Sequence, residues 1–153
     1  MNPLAEPLDD GALDTLAGDI DRWLEHARNE LPAIVAVDRD ELRWYVRLAG
    51  DDKEFTTIWL TLAQRTLRYE TYVMAWPEEN AAELFENVLR RNDRLTGCHF
   101  SIGLEDALFL RGSIPVAEVS QTALDQIIGT LFSTVEQTFH SLLRIGFASR
   151  FRS

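Results

Sequence analysis

Four carboxylates, Glu78, Glu79, Glu83 and Glu86, crowd one short segment. Two carboxylates held close can share a proton or grip a divalent cation. The spacing here also fits a plainer role. Pro77 suits the first turn of a helix, Glu78 and Glu79 complement its positive end, and Arg90 and Arg91 its negative end; Glu86 stands four residues before Arg90. His26, His99 and His140 are scattered along the chain, and His26 falls among charged neighbours, so no metal site is predicted. Cys98 is the only cysteine, which excludes an intramolecular disulfide and any CxxC pair; it is expected to be a small buried hydrophobe. There is no GxGxxG or GxxxxGK run and no serine inside GxSxG, so phosphate cradling and hydrolase chemistry have no local support. The reading is therefore not an enzyme, with no catalytic residue and no cofactor.

Two groups of residues suit binding instead. Arg90, Arg91 and Arg94, with Asn92, form the densest basic cluster and could grip a carboxylate or phosphate in bidentate fashion, the signature of a small anionic-ligand sensor. The second group comes from alternation. Arg43, Tyr45, Arg47, Thr57, Trp59, Thr61, Arg68, Glu70 and Tyr72 occupy every second position of three runs whose other positions are largely apolar. If those runs pair as consecutive strands, these side chains share one face. Rings mixed with arginine are the composition favoured at protein interfaces, so Arg43, Tyr45, Arg47, Trp59, Arg68 and Tyr72 are the expected protein-binding residues.

The elements that must position them follow from periodicity. Leu13, Leu16, Ile20, Trp23, Leu24, Ala27 and Leu31 recur at helical steps, and Pro32 stops that first helix. Trp44, Val46 and Leu48, then Ile58, Leu60 and Leu62, then Leu67, Tyr69 and Val73 mark three strands joined by short polar turns, an antiparallel meander. A helix from Pro77 offers Ala81, Leu84, Phe85, Val88 and Leu89 as its buried stripe. A hairpin of Phe100 and Ile102 with Leu108 and Leu110 follows. A last helix, capped by Ser120 or Thr122, buries a stripe from Leu124 to Leu143 and ends at Gly146. The fold class is α+β, an antiparallel sheet of about five strands with three helices in the order α-β-β-β-α-β-β-α.

Size and charge bound the rest. The 153 residues, 46% of them hydrophobic, suit one domain over residues 11–148, with a loose acidic arm at 1–10 and a tail at 149–153. The net charge of -10 opposes binding to nucleic acid or anionic membranes, neither of which is an expected partner. Residues 1–41 hold 11 acidic and 3 basic side chains, so most of the acidity belongs to the arm and first helix. Arginine supplies every basic side chain except Lys53. No apolar run reaches the length of a membrane span and no signal peptide is read at the N-terminus, so a cytoplasmic protein is expected.

The element order, the run from Gln64 through Arg65, Thr66, Leu67 and Arg68 to Tyr69 and Glu70, then Pro77 to Asn80, Leu89 to Asn92, Leu124 with Asp125, and Gly146 with Phe147, resembles the YbjN-like family of bacterial proteins over about residues 11–148. The resemblance implies a fold similar to type III secretion chaperones, small acidic proteins that bind client segments without hydrolysing nucleotide and commonly form homodimers. It also implies a dimer interface around the second helix and adjoining strands. Members are described as sensory-transduction regulators, a label with no agreed chemistry. The expected partners are thus a client protein and a second copy of the chain.

Overall fold

A computed structural model describes residues 6–151; residues 1–5 and 152–153, which hold half of the expected arm and the end of the expected tail, lie outside the described residues. The element order is α1 (Asp10–Glu30), β1 (Ile34–Asp40), β2 (Arg43–Ala49), β3 (Phe55–Leu62), β4 (Thr66–Met74), α2 (Ala81–Asn92), β5 (His99–Ile102), β6 (Leu108–Pro115) and α3 (Gln121–Gly146). Short 3-10 turns flank α3 at Val116–Glu118 and Ala148–Phe151. The strands form one antiparallel sheet in the order β1-β2-β3-β4-β6-β5. The α+β class stands, but the sheet has six strands, not five. The additional strand is β1, whose residues Ile34 to Val37 are all apolar and therefore show no alternation; a register shift between Ile34 and Ala36 breaks the period further.

Local chemistry sets the helix ends. Asp9 caps α1, its Oδ1 accepting the Ala12 amide at 2.8 Å, and the backbone at Leu8 is tied to the strands by its amide on the Gln64 carbonyl at 2.9 Å. Ser120 caps α3 by accepting the Ala123 amide at 3.0 Å. The start of α2 departs from expectation. It begins at Ala81 after Asn80 in the left-handed region, so Pro77, Glu78 and Glu79 precede the helix rather than open it. Their partners are instead at the end of α3. The amides of Glu78 and Glu79 donate to the Gly146 carbonyl at 2.9 and 3.0 Å, and Asn80 Nδ2 donates to the Ile145 carbonyl at 2.9 Å. Glu79 Oε1 accepts the Ser149 amide, and Glu78 Oε1 accepts Arg150 Nε at 2.6 Å. The segment before α2 thereby satisfies carbonyls that α3 leaves open at its C-terminus.

All three helices lie over one face of the sheet. That face contributes Trp44, Val46, Leu48, Ile58, Leu60, Leu67, Tyr69 and Val73, each at most 4% exposed, to a single core with Ile20 and Leu24 of α1, Leu84 of α2 and Leu124, Ile128, Leu131, Val135 and Leu142 of α3. Gly112 of β6 is required there. A Cβ on it would lie 2.4 Å from both the Gly97 carbonyl oxygen and the Tyr69 ring, whose hydroxyl donates to that same carbonyl. Cys98 is buried and unpaired. Among the described residues no helix is long and apolar enough to cross a membrane.

Candidate protein-binding face of the sheet

With the helices on one side, the register fixes what the other side displays. Tyr45 is paired with Trp59, Trp59 with Glu70, and Glu70 with Arg111 across β2, β3, β4 and β6. One step along, Arg43 is paired with Thr61 and Thr61 with Arg68. Arg47 lies opposite Thr57, and Tyr72 opposite Phe109. Residues directly opposite in an antiparallel ladder project to the same side. The six expected residues Arg43, Tyr45, Arg47, Trp59, Arg68 and Tyr72 therefore occupy one face, and none of them is buried.

The guanidinium groups rest on rings and carboxylates. Arg43 lies 5.5 Å from the Tyr45 ring centroid and 5.8 Å from that of Trp59, and Arg47 lies 3.9 Å from that of Phe55. Glu70 is the central anion. It accepts Arg111 Nε at 2.7 Å and lies 3.8 Å from an Arg43 nitrogen. Such stacking holds long cationic side chains flat on the sheet without hiding them. Burial and the nearby Glu105 push the Tyr72 hydroxyl above its ordinary pKa. Shallow grooves of about 600 Å³ and about 350 Å³ run along the face, the first beside Asp38, Tyr45 and Arg47, the second between Arg43, Arg68 and Arg111.

Five contributors escape the sequence reading. Arg111 and Phe109 come from β6, which is paired with β4 although α2 and β5 separate them in sequence. Phe55 stands at the start of β3, in step with the face but before the run that alternates visibly. Asp38 and Asp40 reach the face from the unrecognised β1, opposite Tyr45 and Arg43. The face thus carries arginine at its centre and carboxylates along the β1 edge.

The other candidates separate clearly. Arg90, Arg91 and Arg94 do converge, lining a cleft of about 380 Å³ with Asn87, Phe100 and Thr138. Arg91 donates to Asn87 Oδ1 at 2.7 Å and to Ser141 Oγ at 3.2 Å, and Arg90 lies 3.7 Å from Glu86. Three guanidinium groups on one cleft are an arrangement able to hold an anion. His26, His99 and His140 stay apart on α1, β5 and α3, and among the described residues no three His, Cys, Asp or Glu side chains are grouped to hold a metal ion. The stripe of α2 is also narrower than expected. Leu84 and Val88 are buried, but Leu89 is 66% exposed, and Trp76, 45% exposed, packs its ring 5.1 Å from that of Phe85.

Comparison with known proteins places this geometry. The family model YbjN, described as "Putative bacterial sensory transduction regulator", matches residues 18–144. The uncharacterized protein Rv0487 of Mycobacterium tuberculosis is 29% identical over 104 residues, 68% of this chain and 57% of that protein. The uncharacterized protein ML2442 of Mycobacterium leprae is 29% identical over 108 residues, 71% of this chain and 59% of that protein. The chain therefore spans less than two thirds of the length of these relatives. Among solved structures, a chain of the ExsC-ExsE complex matches with a TM-score of 0.59 at 19% identity, covering 83% of this chain and 96% of that one. The HopA1-SchA chaperone-effector complex matches with 0.58 at 14% identity, covering 88% and 99%. The Yersinia pestis type III secretion chaperone SycH, in complex with a fragment of YscM2, matches with 0.52 at 18% identity, covering 76% and 96%. The sheet and its helical layer have the type III secretion chaperone fold, and the chain, matched over most of its length by the family model, belongs to the YbjN family.

Proposed function

We propose that this chain is a non-catalytic, chaperone-like adaptor of the cytoplasm that holds a segment of a client protein against the outer face of its sheet. The observation that carries this reading is the unburied row of Arg43, Tyr45, Arg47, Trp59, Arg68 and Tyr72 on a face that, among the described residues, no helix covers. Flat aromatic side chains that lose little rotamer freedom on contact, beside guanidinium groups with donors to offer, are what a protein-binding surface needs. The fold adds support, since solved structures similar to it are complexes of chaperones with protein partners. Affinity capture from the native cell, read by mass spectrometry, tests the reading. The wild type is expected to retain a protein that the Tyr45→Ser/Trp59→Ser variant loses; equal retention by both overturns the site.

The proposal includes a homodimer. The exposed apolar side chains of α2 and the segment before it, Leu89 and Trp76 with Phe85 between them, are the surface for a second copy. Light scattering is expected to give twice the mass of the chain and to fall to the single mass in a Leu89→Asp variant. A single mass for the wild type would remove the dimer and leave the sheet face untouched.

A further inference from the structure

Lys53, the one lysine among 15 basic residues, sits on the loop between β2 and β3. That loop is clamped to α3: Glu136 accepts the amides of Asp51, Asp52 and Lys53 at 2.8, 2.9 and 3.3 Å. Gly50 lets the clamp close, because a Cβ there would lie 1.8 Å from the Glu136 carboxylate. The Lys53 stem is thereby directed across the end of β4. Its ammonium donates to the carbonyls of Tyr72 at 2.7 Å and Val73 at 3.2 Å. It also lies 5.0 Å from the Tyr72 ring centroid and 5.5 Å from that of Phe139.

An ammonium has three N–H donors, and two are accounted for. Among the described residues Lys53 forms no ion pair. Glu136 is engaged by the loop amides, and Asp52 faces His140 at 3.5 Å. Burial strips water from the cation and lowers its pKa to about 8. A desolvated cation without a counter-ion gains more than an exposed one when a carboxylate arrives.

The ammonium opens onto a cleft of about 400 Å³ walled by Tyr72, Met74, Phe139, Leu143, Phe147 and Phe151. That volume is within the range of small-molecule sites, and its lining residues are apolar except for Lys53, Arg150 and Tyr72. Arg150 is exposed, with its Nε on Glu78 and its guanidinium 5.7 Å from the Phe147 ring centroid, so Lys53 is the desolvated cation of the cleft. We infer that this cleft binds a small amphipathic carboxylate, its apolar body among the rings and its charged oxygens on the Lys53 ammonium. One desolvated ammonium with one remaining donor suits a monoanion rather than a phosphate. The site shares Tyr72 with the client surface but does not depend on that surface binding a client.

Labelling lysine with 13C at Cε gives a single side-chain resonance, since the chain has one lysine. Titration of the full chain with decanoate, 4-phenylbutanoate and decanol, each below micelle formation, tests the site. Both acids are expected to shift the resonance saturably and to raise the Lys53 pKa from about 8; the tighter of the two names the apolar body as alkyl or aryl. Decanol should bind about tenfold more weakly than decanoate, and Lys53→Met should weaken decanoate by about tenfold in calorimetry. An unmoved resonance, decanol equal to decanoate, or equal decanoate affinity in Lys53→Met would overturn the proposal. Because the resonance is read in the wild type, the test survives a variant that fails to fold.

Discussion

Replacing Trp44 by alanine is expected to lower stability by about 3–5 kcal/mol, the cost of deleting a large ring from a packed core. Trp44 is 1% exposed on β2, and its Nε1 donates to Asp21 Oδ1 of α1 at 2.8 Å. The other oxygen of Asp21 accepts Arg39 of β1 at 2.7 Å, and the Arg39 guanidinium lies 5.1 Å from the Trp44 ring centroid. One indole thus ties α1, β1 and β2 together. Alanine leaves a cavity under α1, while Asp21, on the protein surface, recovers water. Trp44→Phe keeps most of the ring and removes the donor, so it should cost only about 1 kcal/mol for the hydrogen bond plus a small volume loss. Urea denaturation of the two variants separates these contributions. Equal losses would assign the effect to the hydrogen bond instead of to burial. Since domains are stable by about 5–15 kcal/mol, the alanine variant should remain folded with a thin margin.

The second large effect concerns binding. Truncating Tyr45 and Trp59 to serine should weaken the captured client by at least about 2 kcal/mol per residue, roughly 30-fold each, if both are central anchors of the interface. The fold should barely respond. Neither ring is buried, and their loss removes a cross-strand pair worth about 0.2–1 kcal/mol and two exposed contacts with the Arg43 guanidinium worth about 0.5–1 kcal/mol each. Arg68 is exposed at the margin of the face, so Arg68→Ala should act differently, reducing the association rate and its dependence on salt more than the residence time. Calorimetry on the purified pair reads the first effect and stopped flow the second. A client bound equally by wild type and the serine variant would place its surface elsewhere.

The parts of this fold legible in the sequence were those with uninterrupted period. β2, β3 and β4 alternate in period two, with Thr56 and Thr71 the polar exceptions on the apolar side, so the pattern puts Trp44, Val46, Ile58 and Leu60 inside and Tyr45, Trp59 and Arg68 outside. β1 was not legible. Its apolar start lacks alternation, and its hairpin turns through Glu41 and Leu42, with Glu41 at a φ of 54° that usually calls for glycine or asparagine. The insertion of β6 between β4 and β5 is a long-range choice with no local signal, which is why Phe109 and Arg111 were absent from the expected face. Glu78 and Glu79 carried the residue types of a helix start, but their partners at the end of α3 lie about seventy positions away. Lys53 was visible as a singular residue; that its ammonium meets carbonyls of β4 beside an apolar cleft depends on packing between elements.

The client surface is tested most directly by photo-crosslinking in the native cell. A benzophenone side chain placed at Thr57, between Arg47 and Tyr72 on the sheet, is expected to capture the client, whereas the same group at Asp14 on the exposed side of α1 is not. Capture from Asp14 with none from Thr57 would contradict the central claim and move the binding surface to the helical layer.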